Sequence, residues 1–296
     1  MVRIGLCDGD TSHVVEFTKR YNHIEISEDQ WVDGCQVVAL YPGTSNVCPE
    51  RIPGYVETLR GWGIEIVDRP EDLIGKVDAI QIESNEGAKH RAHAELFLGA
   101  GLPCFIDKPF TSSVKDALAI AGLAEKKHVP IFSASALRFA LEIQALRADE
   151  ENVGKVFGAD AYSPAALDPF NPGLFHYGIH GVETLYGLMG PGCERVWCVF
   201  TPGAEMVVGK WSDGRLGTVR GTREGGHSYG YTAFCERAVR PTTIDAGFIY
   251  RELLKKISQM FQTGEAPFSL AESVEVVAFI EAALKSAHTN GAPVPL

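Results

Sequence analysis

Leu102-Pro-Cys-Phe-Ile-Asp-Lys-Pro109 is the stretch that decides the fold. Its apolar part, Leu102–Ile106, is too short for a helix and is bounded by Gly101 and by the polar triplet Asp107-Lys108-Pro109. A short apolar run between turn residues reads as a strand buried on both faces. Residues 88–98 before it read as a helix ended by Gly99 and Gly101, and residues 113–127 after it read as a second helix. Helix, buried strand, helix is one step of a parallel α/β winding.

The same step repeats toward the N-terminus. Val2–Cys7, Gln36–Tyr41, Ile64–Val67, Asp78–Glu83 and Pro130–Ser133 read as further strands, and Val14–Tyr21 and Tyr55–Gly61 as helices. Thr11 or Ser12 caps the first helix, and Ser113-x-x-Asp116 opens a later one as a capping box. Strands that are apolar throughout, separated by amphipathic helices, predict a doubly wound parallel sheet over residues 1–133.

After Ser135 the pattern changes. Helices are expected near 140–149 and 179–189, flanking a loop rich in Pro and Gly. From Arg195 to Arg237, turns at Pro202-Gly203, Asp213-Gly214 and Gly225-Gly226 separate strands with no helix between them, which predicts an antiparallel meander. Helices over 248–261 and 269–288 close the chain. The expected fold class is α/β, with a doubly wound domain at 1–133 and an α+β domain at 134–296 built on a large open, mainly antiparallel sheet.

The chain has 296 residues, 45% of them hydrophobic and 22% charged, with a formal net charge of -11. This length suits two domains. The negative balance argues against nucleic acid and anionic membrane surfaces as partners. The seven cysteines are scattered without a Cys-x-x-Cys pair, so buried reduced thiols are expected, not a zinc site. The first residues run straight into a strand, so no signal peptide is expected, and the protein reads as cytoplasmic.

Asp107-Lys108-Pro109 resembles the Glu-Lys-Pro motif of the glucose–fructose oxidoreductase / inositol dehydrogenase (Gfo/Idh/MocA) family. His90 stands at the family's spacing before the lysine, and Ala100-Gly101 matches its turn before the strand. Further on, His176 and His180 fall on the family's Asp-x-x-x-His, followed by Glu183 and Gly190 at the expected offsets. The resemblance covers nearly the whole length. It implies a Rossmann domain, NAD or NADP as cofactor, and oxidation of a secondary alcohol on a sugar or polyol. It also implies His180 as acid/base with Lys108 as electrostatic partner, His176 beside them, and a homodimer or homotetramer paired through the C-terminal sheet. A histidine suits the proton transfer, because its ordinary pKa lies near working pH. Lys108–Pro109 is a candidate cis peptide.

The cofactor region departs from the family. Asp8, Asp10 and His13 stand where the glycines of the phosphate loop belong. A carboxylate roughly 6 Å from a phosphate charge, at an effective dielectric of about 20, costs about 3 kcal/mol. Thr11, Ser12, His13 and the helix N-terminus offer compensating donors. The second strand ends Tyr41-Pro42-Gly43-Thr44-Ser45, without the acidic residue usual for NAD. Thr44, Ser45 and Arg51 either meet a 2′-phosphate or form a turn. Glu83, Ser84 and Asn85 end a strand where open sheets bind ligands. Asp8, Asp10, Thr11, Ser12, His13, Tyr41, Thr44, Glu83, Asn85, His90, Asp107 and Pro109 are therefore the candidate cofactor contacts.

Plainer readings stand beside these. Taken alone, Lys108 is an exposed strand-end lysine, His180 a helix-start histidine, and Arg138 half of a buttressing ion pair. His90 and His93, on one helix, read as surface or packing residues. Asp10–His13 reads equally as a polar cap, which leaves a non-catalytic, sugar-binding relative as an alternative. No metal is expected in the leading reading. If His176 and His180 share a helical face near Glu183, a metal-assisted lyase or isomerase is the other alternative.

Overall fold

The computed structural model describes residues 1–296 as two compact units, Met1–Ala134 with Tyr250–Ser273, and Ser135–Ile249 with Val274–Leu296. No helix is long and apolar enough to cross a membrane.

In the first unit the elements run β1 (Val2–Cys7), α1 (His13–Asn22), β2 (Cys35–Tyr41), α2 (Ile52–Gly61), β3 (Glu65–Ile66), β4 (Ala79–Ile82), α3 (His90–Gly99), β5 (Cys104–Ile106), α4 (Val114–Lys127) and β6 (Ile131–Ser133). The sheet order is β3-β2-β1-β4-β5-β6, and every pairing is parallel. This is the doubly wound sheet expected from the alternation of apolar runs and amphipathic helices. The strands bury Ile4, Leu6, Val37, Leu40, Ile80, Ile82, Phe105 and Phe132. At about 25 cal/mol per Å² of apolar surface, each such side chain contributes roughly 1.5–3 kcal/mol. The capping box at α4 is formed, with Ser113 Oγ accepting from Asp116 N at 3.2 Å.

The second unit opens with α5 (Leu141–Ala148), α6 (Glu150–Val153), β7 (Val156–Pro164) and α7 (Ile179–Met189). The strands β8 (Cys193–Thr201), β9 (Ala204–Trp211), β10 (Leu216–Thr222), β11 (Gly230–Cys235) and β12 (Val239–Thr243) follow. Then come α8 (Ile249–Thr263), α9 (Leu270–His288) and β13 (Val294–Pro295). The sheet order is β12-β11-β7-β10-β9-β8-β13, antiparallel except for the β7–β10 pair. The expected meander holds for β8–β10; β11 then pairs with β7 instead of β10. α7 is buried along its whole length and packs on β7 and β10.

The domain division differs from the sequence expectation in one respect. Residues 250–273 belong to the first unit, which also extends to Ala134. The cause is the apolar stripe of α8: Leu253, Leu254, Ile257 and Met260 are buried. Tyr21 Oη donates to Leu254 O at 3.1 Å, and Ser258 Oγ donates to Asp33 O at 2.9 Å. All seven cysteines are free, and Cys48 and Cys235 are only half-buried.

Candidate functional site

In the first sheet β1 and β4 are neighbours, with β2 and β5 on their outer sides. The chain reverses winding direction there, and open sheets bind ligands at the C-terminal strand ends of such a crevice. Asp8 follows β1 at φ 68, in the left-handed region. Its Oδ2 stands 3.1 Å from His93 Nε2. Its Oδ1 lies where a Cβ on Gly43 would come within 1.8 Å, so residue 43 has to be glycine. Asp10 is fully buried; its Oδ2 accepts from Ser45 Oγ at 2.5 Å and its Oδ1 from Asn85 N at 2.9 Å. Burial pushes the Asp10 carboxyl up, and these hydrogen bonds pull against that shift. Asp10 is therefore engaged by protein donors on both oxygens, whereas Asp8 Oδ2 has the His93 ring beside it but no hydrogen bond. Ser12 caps α1 without a side-chain hydrogen bond, while Thr11 Oγ1 accepts from His13 N at 3.4 Å. A helix N-terminus of this kind fits an anion, and a dinucleotide fits the crevice on that observation.

His13 has a different fate from a phosphate-loop glycine. It stacks on Phe17 and meets Tyr250 edge-on, and its Nδ1 lies 2.6 Å from Asp107 Oδ2 and 3.8 Å from Glu83 Oε2. Glu83 is fully buried and neither carboxylate oxygen has a hydrogen-bond partner. Burial, followed by the charges of Asp107 and Asp10, pushes the Glu83 carboxyl well above its usual range. Burial also opposes ionisation of Asp107, but His13 and then Lys108 outweigh it and hold that carboxyl below the usual range. The two adjacent carboxyls are thus pushed in opposite directions, as expected for neighbouring acids in a dry site.

Lys108 is 8% exposed, not an open strand-end lysine, and its N donates to Asp107 Oδ1 at 2.8 Å. The Lys108–Pro109 peptide is cis. His90 is fully buried, with Nδ1 2.8 Å from Pro109 O and Nε2 2.9 Å from Ser84 O. It fastens the loop after β5 to the end of β4, which is a packing role beneath the crevice. At the end of β2, Lys89 donates to Thr44 O, and to Thr44 Oγ1 at 3.2 Å. Arg51 stands 3.8 Å from Glu50. Tyr41 is half-buried and 6.3 Å, ring to ring, from His93.

In the second unit, α7 begins at Ile179, so His176 precedes the helix and does not share a helical face with His180. His180 Nδ1 is 2.6 Å from Ser135 Oγ. Glu183 forms a buried ion pair with Arg138, which settles Arg138 as a buttress within this unit. The metal trio of the alternative reading, His176, His180 and Glu183, does not assemble: Ser135 engages one imidazole and Arg138 the carboxylate. The His180 ring is flanked edge-on by Tyr177 at 5.0 Å and Tyr229 at 5.8 Å. Those tyrosines, with Pro164, Ala166, Thr222, Arg223 and His227, line a cavity of about 400 Å³. Arg223 is occupied by Glu205 Oε1 at 2.6 Å and by backbone carbonyls.

Sequence reasoning missed Ser135, Tyr177, Tyr229 and Lys89. Ser135 lies far from His180 along the chain and carries no motif. Tyr177 sits inside the histidine motif but reads there as a spacer.

Comparison with known proteins agrees with this fold. Residues 43–135 match the family model described as an oxidoreductase family with an NAD-binding Rossmann fold. A UDP-N-acetylglucosamine 3-dehydrogenase of Acidithiobacillus ferrooxidans is 37% identical over 101 residues, a stretch that spans 34% of this chain and 30% of that protein. GenD2 from gentamicin A biosynthesis, in complex with NAD, superposes with a TM-score of 0.79 at 14% identity, over 100% of this chain and 96% of that one. Scyllo-inositol dehydrogenase from Lactobacillus casei, with bound NAD(H) and scyllo-inositol, gives 0.80 at 13% identity, over 100% and 99%. These two likenesses concern the fold. The class these comparisons define is a two-unit fold with a Rossmann sheet. Residues 43–135 thus match the Gfo/Idh/MocA family's NAD-binding Rossmann fold, and the whole chain shares the fold of these structures.

Proposed function

We propose that this chain is an NAD(P)-dependent oxidoreductase acting on a secondary alcohol of a sugar or polyol. The observation that carries the reading is His180: a buried imidazole tethered through Nδ1 to Ser135 and flanked by two tyrosines that line a cavity. With Ser135 Oγ as acceptor, Nε2 is left as the ring's proton acceptor, the form a general base needs. The tyrosine rings suit the C–H faces of a sugar ring, and their hydroxyls suit its alcohols.

In this reading His180 takes the hydroxyl proton as the carbinol carbon is oxidised. A bound dinucleotide would supply the hydride acceptor for that carbon. Lys108 supplies a positive charge that stabilises the developing alkoxide. Gly9, Thr11 and Ser12 at the start of α1 would hold the diphosphate, and Thr44 with Lys89 the adenosine ribose. The absence of an acidic residue at the end of β2, together with Lys89 at Thr44, supports acceptance of NADP as well as NAD.

Titrating NADH and NADPH against intrinsic tryptophan fluorescence tests the cofactor half, and reduction of the oxidised dinucleotides by a panel of cyclitols and hexoses tests the rest. Saturable binding with turnover supports the proposal. Sugar binding without dinucleotide binding would replace it with the non-catalytic alternative.

A further inference from the structure

The first unit buries three metal-competent side chains at one point, and one of them lacks a partner. His13 Nδ1, a Glu83 carboxylate oxygen and an Asp107 carboxylate oxygen all lie within 4.8 Å of one another. All three residues are buried, and both Glu83 oxygens are without a hydrogen bond. An unpaired polar group in a dry site costs about 1–3 kcal/mol, so a fully buried Glu83 aimed at His13 calls for something to satisfy it. We propose that His13, Glu83 and Asp107 form a binding site for a divalent transition-metal ion of the manganese(II) or zinc(II) type. The site borders Lys108 and the cofactor crevice, but it is argued from its own three side chains and does not rest on the dehydrogenase reading.

The donor set suits such an ion. One imidazole nitrogen and two carboxylate oxygens are ligands shared by zinc and manganese, and three protein ligands leave positions open for water. Ligand atoms about 2.1 Å from a metal stand roughly 3.0–3.4 Å from one another. The Glu83 to His13 separation of 3.8 Å has to close slightly, and the His13 to Asp107 separation of 2.6 Å has to open, as the metal replaces the proton between them. Imidazole and carboxylate ligands bind a metal in their deprotonated forms, so affinity rises with pH. Asp8, Asp10, Glu83 and Asp107 also crowd the ends of β1, β4 and β5, where an added dication offsets their mutual repulsion.

A second cluster, Cys7, Asp8 and His93, has similar spacing. There Asp8 already meets His93 at 3.1 Å, and burial pushes the Cys7 thiol well above its usual range, which disfavours the thiolate a metal needs.

The test is calorimetric titration of chelator-treated, untagged full-length protein with MnCl2, at acidic and at mildly alkaline pH. About one equivalent should bind, more tightly at the higher pH. Glu83→Gln and His13→Asn, each checked for fold by circular dichroism, should weaken binding at least about tenfold, while His93→Ala should not change it. Should both variants fail to fold, Mn(II) added to the wild-type chain should broaden the His13 ring resonances first. Absence of saturable binding, undiminished binding in both folded variants, loss of binding in His93→Ala, or His13 resonances unaffected by Mn(II) would each overturn the proposal.

Discussion

Ser135 Oγ lies 2.6 Å from His180 Nδ1, and the same oxygen accepts from Leu137 N at 3.2 Å. The backbone of the segment that starts the second unit thus fixes the hydroxyl, and the hydroxyl fixes the ring. Ser135→Ala leaves the imidazole in place without its tether. A hydrogen bond of this kind is worth about 1 kcal/mol, so kcat should fall by roughly five- to tenfold with KM little changed. Steady-state kinetics across pH separate this from a packing defect, because a lost tether also displaces the pH profile of kcat.

Asp10 gives a pH-dependent prediction. Its folded pKa is raised above the ordinary 3.8, chiefly by burial. A raised carboxyl is equally protonated in folded and unfolded chains at low pH. Its contribution to stability is therefore complete below about 3.8 and is lost as pH rises through the folded value. Asp10→Asn removes that titration and sacrifices one hydrogen bond to Ser45 or Asn85. The Tm of the variant minus that of the wild type should accordingly increase with pH above about 4, as read by calorimetric melting. A difference independent of pH would contradict the assignment of Asp10 as a strained buried acid.

His90 spans Ser84 O, Pro109 O and Phe110 O from full burial. His90→Ala strands these carbonyls and opens a void, which should cost about 2–4 kcal/mol in urea unfolding. The motif Asp107-Lys108-Pro109 lies in the same loop, so dinucleotide affinity should also drop.

One end of the outer face of the second sheet is apolar. Leu216 pairs with Gly158, Gly158 with Phe234, and Phe234 with Val239, so all four share one face, and Leu216, Phe234 and Val239 are exposed. A contiguous exposed patch of this kind suits burial against a second copy of the chain. Light scattering should give a dimer or tetramer mass, and Leu216→Glu with Phe234→Glu should shift it toward the monomer.

The parallel sheet was legible because its strands are apolar on both faces, a pattern few other arrangements tolerate. Lys108 and His180 stand out in the sequence because each sits in a motif of fixed spacing. The destination of Tyr250–Ser273 was not legible, since an amphipathic helix declares that it is buried but not against which unit. His13 was placed by register with a glycine loop, and nothing local foretold its 2.6 Å contact with Asp107, a residue far along the chain. Likewise His176 and His180 read as one helical face until the structure began α7 at Ile179.

The proposal that His180 moves the proton is tested most directly by kcat for reduction of NAD or NADP by a polyol substrate, in wild type and in His180→Asn. The account expects a loss of about a hundredfold or more, with the dinucleotide dissociation constant unchanged and the fold intact. A variant that turns over at the wild-type rate would contradict it.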